Sequence, residues 1–154
     1  MDILVHGELS RSIIGAAMAV LNELKPGLDE KLYENALVIE LRERGHQVEQ
    51  QKRISVHYKG HLIGTLIPDM VVDGKVVVDP KVVTAFNDSH LAQMIGYLAK
   101  TGLDLALLLN FKHAKLEWRR VVRSEPAEQP ENPCPSAPSA VNQSRASVAL
   151  SEGD

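Results

Sequence analysis

The chain has 154 residues, a formal net charge of −3, 44% hydrophobic residues and one cysteine. This length suits one domain, and a lone cysteine excludes both a disulfide framework and an all-cysteine zinc site. A basic N-terminal segment followed by an apolar run is missing, and no later stretch is apolar for long enough to span a membrane. We therefore expect a cytoplasmic protein without a membrane partner. The negative charge also argues against nucleic-acid binding, provided that the charges are evenly spread.

The charges are concentrated at the C-terminal end. Residues 124–154 hold five of the eight prolines, five acidic residues, one arginine and no aromatic residue. Such a composition cannot bury enough apolar surface to offset its chain entropy. We predict a folded domain over residues 1–123 and a disordered acidic tail over residues 124–154. Subtracting the tail from the 17 basic and 20 acidic residues of the chain leaves 16 and 15 in the domain, so the domain carries +1 and the tail −4.

Two helices are predicted at the start of the domain. Apolar residues recur at three- and four-residue spacing over Glu8–Leu24, which is typical of an amphipathic helix. Pro26-Gly27 interrupts that pattern. A second helix is predicted over about Leu28–Arg44, with Gly45 placed to cap its end.

Strands and a third helix follow. An antiparallel meander of three strands is predicted, because two turn dipeptides, Lys59-Gly60 and Asp73-Gly74, separate runs of β-branched and apolar residues. The predicted elements are strands over 47–58, 61–72 and 75–83, a helix from a cap at Asn87, Asp88 or Ser89 to about Lys100, and strands over Leu105–Phe111 and Leu116–Val122. The order ααβββαββ predicts an α/β fold with a mixed sheet of four to five strands flanked by helices.

The hairpin at Asp73-Gly74 carries the residues most suggestive of chemistry. Its two strands each bear an acid, Asp69 and Asp79, and pairing about the turn puts Asp69 opposite roughly Val78, so both carboxylates come within reach of one cation. Lys81, two residues beyond Asp79, points to the same face of its strand. Asp79 interrupts an apolar run, where an acid costs stability unless it is paired or ligated. Oxygen ligands of this kind suit Mg²⁺ or Mn²⁺.

Helical residues supply further candidates. Glu30 shares a helical stripe with Tyr33, although an acid in the first turn of a helix is also a favourable partner of the helix dipole. Glu34, one turn further on, can equally lie at the surface. Gln93 and Tyr97 are four residues apart and share one face of the third helix.

A heptapeptide at the start of the second helix has the spacing of a known motif. Gly27-Leu28-Asp29-Glu30-Lys31-Leu32-Tyr33 reproduces GxxExxY, and nearly all of residues 8–123 resembles the bacterial GxxExxY family. The other similar segments are Ile13–Ala17, Arg42–Gly45, Tyr58–Gly60 and Leu108–Phe111. This family is grouped with the PD-(D/E)XK nuclease-like superfamily. The resemblance implies a restriction-endonuclease-like core and metal-dependent hydrolysis of DNA or RNA phosphodiesters.

The resemblance also implies a role for each candidate residue. Asp69 and Asp79 would bind Mg²⁺ (or Mn²⁺), Lys81 would be the lysine of the D/E-x-K element, and Glu30 would be the acid of the preceding helix, which binds metal or orients water. Gln93 and Tyr97 resemble the QxxxY element and would position the site together with Tyr33. In such enzymes the metal and the lysine orient a water that attacks the phosphodiester.

The second element departs from the usual family pattern. It reads Asp79-Pro80-Lys81, where relatives have a glutamate and no proline, and a proline removes a backbone N–H from an interior strand. The carbonyl of Pro80 stays available as a metal ligand. This departure supports an alternative hypothesis, in which a catalytically weak or inactive member binds nucleic acid or a protein partner. A purely structural oligomerisation domain is a third hypothesis, but it leaves Asp79 unexplained.

Two groups of basic residues are candidates for contacts with nucleic acid. One group lies on the first predicted hairpin and the other near the end of the domain. Runs of this kind are more often a solvated face than a binding site, yet phosphate contacts supply most non-specific affinity. The candidate residues are Lys52, Arg53, Lys112, Lys115, Arg119 and Arg120.

Overall fold

Three helices and seven strands make up residues 5–123, the part of the chain that the structure, a computed structural model, describes. In chain order the elements are α1 (Gly7–Leu24), α2 (Glu30–Glu43), β1 (Val48–Gln50), β2 (Ile54–Tyr58), β3 (His61–Leu66), β4 (Met70–Val72), β5 (Val76–Lys81), α3 (Asp88–Thr101), β6 (Leu105–Asn110) and β7 (Glu117–Val122). The tail predicted over residues 124–154 lies outside the described residues. None of the helices described here is long and apolar enough to cross a membrane.

The N-terminal helices each bury one apolar row. In α2 the buried row is Tyr33, Leu37 and Leu41, which lie in the core with the buried face of α1. The neighbouring row, equally apolar in sequence, faces outward, with Leu32 48% and Ile39 60% exposed. Spacing alone predicts the helix but not which of two apolar rows it buries.

The central sheet is mixed and has the strand order β1-β4-β5-β6-β7. The neighbours β5 and β6 are parallel, and the other pairs are antiparallel. The helix α3 connects β5 to β6 and packs on one face, while α1 and α2 cover the other. The strands β5 and β6 are therefore covered by helices on both faces of the sheet, which explains their nearly continuous apolar sequence. The predicted α/β fold with a mixed sheet flanked by helices is confirmed.

Two of the predicted strands are broken, which makes the simple three-stranded meander wrong. Residues 47–58 form β1 and β2, and residues 61–72 form β3 and β4. Of these four strands, β1 and β4 belong to the central sheet, while β2 and β3 form a separate two-stranded sheet, here called the arm. The break lies at Gln51, whose φ is 58°, and near Pro68, which has no backbone N–H to donate.

Candidate active site

The turn between β4 and β5 decides which residues face each other across the hairpin. It contains one residue more than the two-residue turn predicted from Asp73-Gly74, and Met70 consequently pairs with Val78. One further step of this register places Asp69 opposite Asp79, whereas the sequence predicted Asp69 opposite roughly Val78. Directly opposed residues of antiparallel strands point to the same face, so the two carboxyl groups lie side by side.

Asp79 is a buried carboxyl group within an apolar strand. It is 3% exposed, and Asp69 is half-buried. Burial raises the pKa of Asp79 to about 8; the hydrogen bond and charge of Asp69 add to the rise, and the charge of Lys81 opposes it. In the absence of a cation Asp79 therefore keeps its proton at neutral pH.

Lys81 supplies a positive charge to the pair. Its Nζ lies 3.3 Å from Oδ2 of Asp79 and 3.5 Å from Oε1 of Gln93. The ammonium group is held mostly out of solvent, because the Lys81 side chain is only 16% exposed. The prediction that Asp79 and Lys81 share one face of the strand is confirmed.

The helix α3 contributes the polar pair Gln93 and Tyr97 to the same face. Nε2 of Gln93 donates to the Tyr97 hydroxyl at 3.2 Å. Burial raises the pKa of Tyr97, and the charges of Asp79 and Asp69 raise it further, so the hydroxyl stays protonated. The spacing of four residues in the sequence thus corresponds to one continuous contact from Tyr97 through Gln93 to Lys81.

Glu30 reaches the site from the other layer of the fold. It is the first residue of α2 and lies near the end of β5, where the backbone N–H of Val82 favours its ionised form. Burial raises the pKa of Glu30; the Lys81 charge lowers it, and the Asp69 charge raises it. Glu30 is therefore within electrostatic range of Lys81 and Asp69. It is not itself a member of the Asp69 and Asp79 pair.

Tyr33 does not lie among the carboxylates. It is fully buried and stacks on Phe111, with 4.8 Å between ring centroids. Its hydroxyl donates to the Lys25 carbonyl at 2.5 Å and accepts from the Leu28 amide at 3.1 Å. Tyr33 therefore fixes the loop that leads into α2, and it can influence the site only through the placement of Glu30.

Glu34 is a buried acid, although its place in the sequence is equally compatible with the surface. It is 3% exposed and accepts hydrogen bonds at 2.9 Å from the side-chain amides of Gln50 and Gln51. Lys31 lies 3.4 Å from the same carboxylate. The signal in the sequence that indicates its burial is its position directly after Tyr33, at the edge of the buried apolar row of α2. These contacts join α2 to the kink between β1 and β2.

Pro80 occupies a position in β5 where a backbone N–H is not needed. The β4–β5 ladder ends at the Met70–Val78 pair. On the other side, the Lys81 carbonyl accepts from the Phe111 amide at 2.9 Å. The N–H and C=O groups of successive residues in a strand point alternately to its two sides, so the Pro80 backbone points away from β6 and toward the side of Asp69. There it lies beyond the Met70–Val78 pair, the last pair of the β4–β5 ladder.

The basic residues predicted to contact nucleic acid differ in their exposure and in their contacts. Lys52, Arg53, Lys112 and Lys115 are exposed. Arg119 lies over the Phe86 ring, 5.8 Å from its centroid. Arg120 instead faces inward and donates to the Ser10 hydroxyl at 2.9 Å and to the Val5 carbonyl at 2.8 Å. The guanidinium of Arg120 is thus engaged within the domain.

The chemistry of the Asp69 and Asp79 pair fits a hard divalent cation. Two adjacent carboxylates repel each other, and a cation between them removes both the repulsion and the cost of burying Asp79. Mg²⁺ and Mn²⁺ take oxygen ligands and retain water at open positions. Within residues 5–123, however, no three His, Cys, Asp or Glu side chains form a ready-made metal centre. The remaining ligands would therefore be water, substrate oxygens, a backbone carbonyl such as that of Pro80, or a side chain that moves.

Comparisons with known proteins address the family. A sequence profile of the PD-(D/E)XK nuclease superfamily matches residues 7–121. Among solved structures, an alkaline exonuclease (LHK-Exo) from Laribacter hongkongensis is similar with 14% identity and a TM-score of 0.41, over 70% of this chain and 76% of that one. No curated protein matches the sequence. Since the profile spans most of the described residues, this chain belongs to the PD-(D/E)XK nuclease superfamily.

Proposed function

We propose that this protein is a metal-dependent nuclease, of the GxxExxY family, that hydrolyses phosphodiester bonds of DNA or RNA. The observation that carries the proposal is the buried Asp79, which faces Asp69 across the hairpin and lies 3.3 Å from Lys81. A buried carboxyl pair with an adjacent lysine is costly for stability alone. Residues with strongly shifted pKa values that converge in this way are typical of catalytic sites.

Each residue then has a distinct role. Asp69 and Asp79 would hold Mg²⁺ or Mn²⁺, and the Pro80 carbonyl and Glu30, which reaches the site from the other layer of the fold, would be further oxygen donors near the end of β5. When bound, the cation would polarise the phosphodiester and lower the pKa of a coordinated water. Glu30, whose burial raises its pKa, orients the attacking water and accepts its proton.

Lys81 stabilises the negative charge that develops on the phosphate oxygens. Its Nζ is aimed by the contact with Gln93 Oε1 at 3.5 Å, and Gln93 is held in turn by Tyr97. A positioned ammonium group in a site of low dielectric stabilises charge more strongly than one in water. Gln93 and Tyr97 are therefore positioning residues, and Tyr33 acts through the loop before α2.

Cleavage assays test the proposal. Purified protein is incubated with single- and double-stranded DNA and RNA in the presence of Mg²⁺, Mn²⁺ or EDTA. We expect metal-dependent cleavage that falls at least 100-fold in Asp69→Asn, Asp79→Asn and Lys81→Met, as is usual when a catalytic electrostatic group is removed. Asp104→Asn, which changes an exposed acid, is the matched control. Equal cleavage by all variants would point to a contaminating nuclease and refute the assignment.

The Asp79-Pro80-Lys81 sequence supports a second candidate function, a binding module without catalysis. Asp79 is one methylene shorter than the glutamate of relatives, and its carboxyl is already paired with Lys81. Calorimetry separates the two functions. Mn²⁺ binding that disappears in Asp69→Asn and Asp79→Asn supports the nuclease, whereas nucleic-acid binding without any such metal binding supports the module.

A further inference from the structure

A recess lined by basic residues lies between the start of the arm and the C-terminal end of α3. Its volume is about 280 Å³. The residues that line it include Lys52, Arg53, Val71, Lys100, Thr101 and Leu103. Val71 is buried and Leu103 is half-buried, whereas Lys52, Arg53 and Lys100 are exposed. The recess therefore combines buried apolar side chains with a concentrated positive charge.

The charge of the recess is only partly compensated. Lys52 lies 3.2 Å from Glu49 in an exposed ion pair, which contributes little. Neither Arg53 nor Lys100 has an ion-pair partner among residues 5–123. No carboxylate of the described chain lines the recess. An anion is the ligand that this arrangement favours.

Thr101 adds a neutral hydrogen-bond donor. Its Oγ1 accepts from the Leu103 amide at 3.1 Å, which leaves the hydroxyl hydrogen free to point elsewhere. A hydroxyl donor beside two unpaired cations suits a phosphate group, because phosphate oxygens accept several hydrogen bonds at once.

The recess is close to the candidate active site along two elements. On β4, Val71 lies two residues from Asp69 and on the same face, a separation of about 7 Å. On α3, Lys100 and Thr101 follow Tyr97 by three and four residues, so they lie about one helical turn, ~5 Å, further along the same side. Phosphates recur about every 3.4 Å along the axis of each strand of a duplex. A nucleic-acid strand at the carboxylates thus reaches the recess within one to three nucleotides.

We propose that this recess binds a backbone phosphate of the nucleic-acid strand, one to three nucleotides away from the bond that is cut. The inference rests on the proposed function for the identity of the strand. Lys100 and Thr101 thereby become binding residues, together with Arg53 and Lys52. The second phosphate contact anchors the strand, so it governs affinity and the minimum length of the substrate and leaves the chemical step unchanged.

Two measurements on the full chain test the inference. The first is the dissociation constant of a fluorescent 12-nucleotide single strand in EDTA, measured over a range of salt concentrations. We expect Arg53→Ala/Lys100→Ala to bind about 10-fold more weakly and to reduce the slope of log K against log salt by about one. Arg11→Ala/Lys25→Ala also removes two exposed positive charges, from α1 and the residue that follows it, outside the recess, and is the matched control. Thermal unfolding of each variant verifies that it is folded.

The second measurement uses a substrate too small to reach the recess. Hydrolysis of the p-nitrophenyl ester of thymidine 5′-monophosphate, with Mn²⁺, is expected to be the same in the wild type and in the double variant. Failure of the wild type to hydrolyse this ester would count against the proposed nuclease activity. The affinities measured in EDTA would still test the recess. Equal affinity and equal salt slope for Arg53→Ala/Lys100→Ala and Arg11→Ala/Lys25→Ala, or no binding by the wild type, would overturn the recess as a phosphate site.

Discussion

Asp79 is the residue whose placement most needs an explanation. Its neighbours in β5 are apolar and buried, and an ionised carboxylate at 3% exposure is unfavourable without compensation. Lys81 compensates in part, but Asp69 adds a second negative charge beside it. The folded, metal-free protein therefore keeps Asp79 protonated, at a cost that grows as the pH rises.

We expect the free energy of unfolding of the metal-free protein to fall between about pH 4 and pH 8. The unfolded chain releases the Asp79 proton near 3.8, while burial and Asp69 raise the folded-state pKa to about 8. Between these values the folded state binds more protons, so stability decreases with rising pH and levels off above pH 8. Because one pKa unit corresponds to about 1.4 kcal/mol, Asp79→Asn should be more stable than the wild type by several kcal/mol at pH 9. Urea denaturation in EDTA at several pH values measures the difference.

Two controls make this result specific. Asp104→Asn, at an exposed acid, should follow the wild-type pH dependence. Mn²⁺ at pH 8 should stabilise the wild type more than Asp79→Asn, because a ligand that binds only the folded state stabilises it by mass action. Parallel pH profiles for the wild type and Asp79→Asn would contradict the buried protonated carboxyl.

At the scale of elements, the β4–β5 turn sets the register that aligns the site. Asp73 lies in this turn, and its carboxylate accepts from the Gln47 amide at 2.8 Å and lies 2.8 Å from Nδ1 of His46. Its φ of 55° and that of Gly74, 66°, are left-handed, as this turn requires. Asp73 therefore ties the turn to the segment that precedes β1.

We expect Asp73→Ala to lower the free energy of unfolding by about 1–3 kcal/mol, from the lost hydrogen bonds and the strain of alanine at positive φ. Burial opposes ionisation of Asp73, but the Gln47 amide and His46 outweigh it and lower its pKa. The stability that it contributes is present above the unfolded-state pKa and is lost as the pH falls through the folded-state value. Urea denaturation at pH 7 and pH 3 measures both effects. If the difference in free energy of unfolding between the wild type and Asp73→Ala were as large at pH 3 as at pH 7, it would argue against a contribution from the ionised Asp73 carboxylate.

Local patterns predicted the elements better than their connections. The helix α3 follows its cap Asn87, whose side chain accepts from the His90 amide, and ends at Gly102, because both signals act within one turn of chain. The register at Asp69 depended on a single extra residue in a turn, which no periodicity reveals. The burial of Glu34 likewise depends on Gln50 and Gln51, brought close only by the kink between β1 and β2.

At the scale of the whole molecule, the distribution of charge matters more than the total of −3. The domain carries +1 despite the acids of the candidate site, and a bound Mg²⁺ would raise it to +3. The exposed Lys112 and Lys115 lie shortly before the tail in sequence. The tail's five acidic residues and one arginine can compete with nucleic-acid phosphates for these cations.

We therefore expect a chain shortened to residues 1–123 to bind nucleic acid several-fold more tightly than the full chain at low salt. The difference should vanish near 1 M salt, where the Debye length falls to about 3 Å and electrostatic competition is screened. Fluorescence anisotropy with one oligonucleotide at several salt concentrations measures it. A full chain in which the tail acids are changed to glutamine or asparagine separates charge from chain length and should match the shortened chain. Unchanged affinity in both would show that the tail does not compete for the phosphate-binding surface.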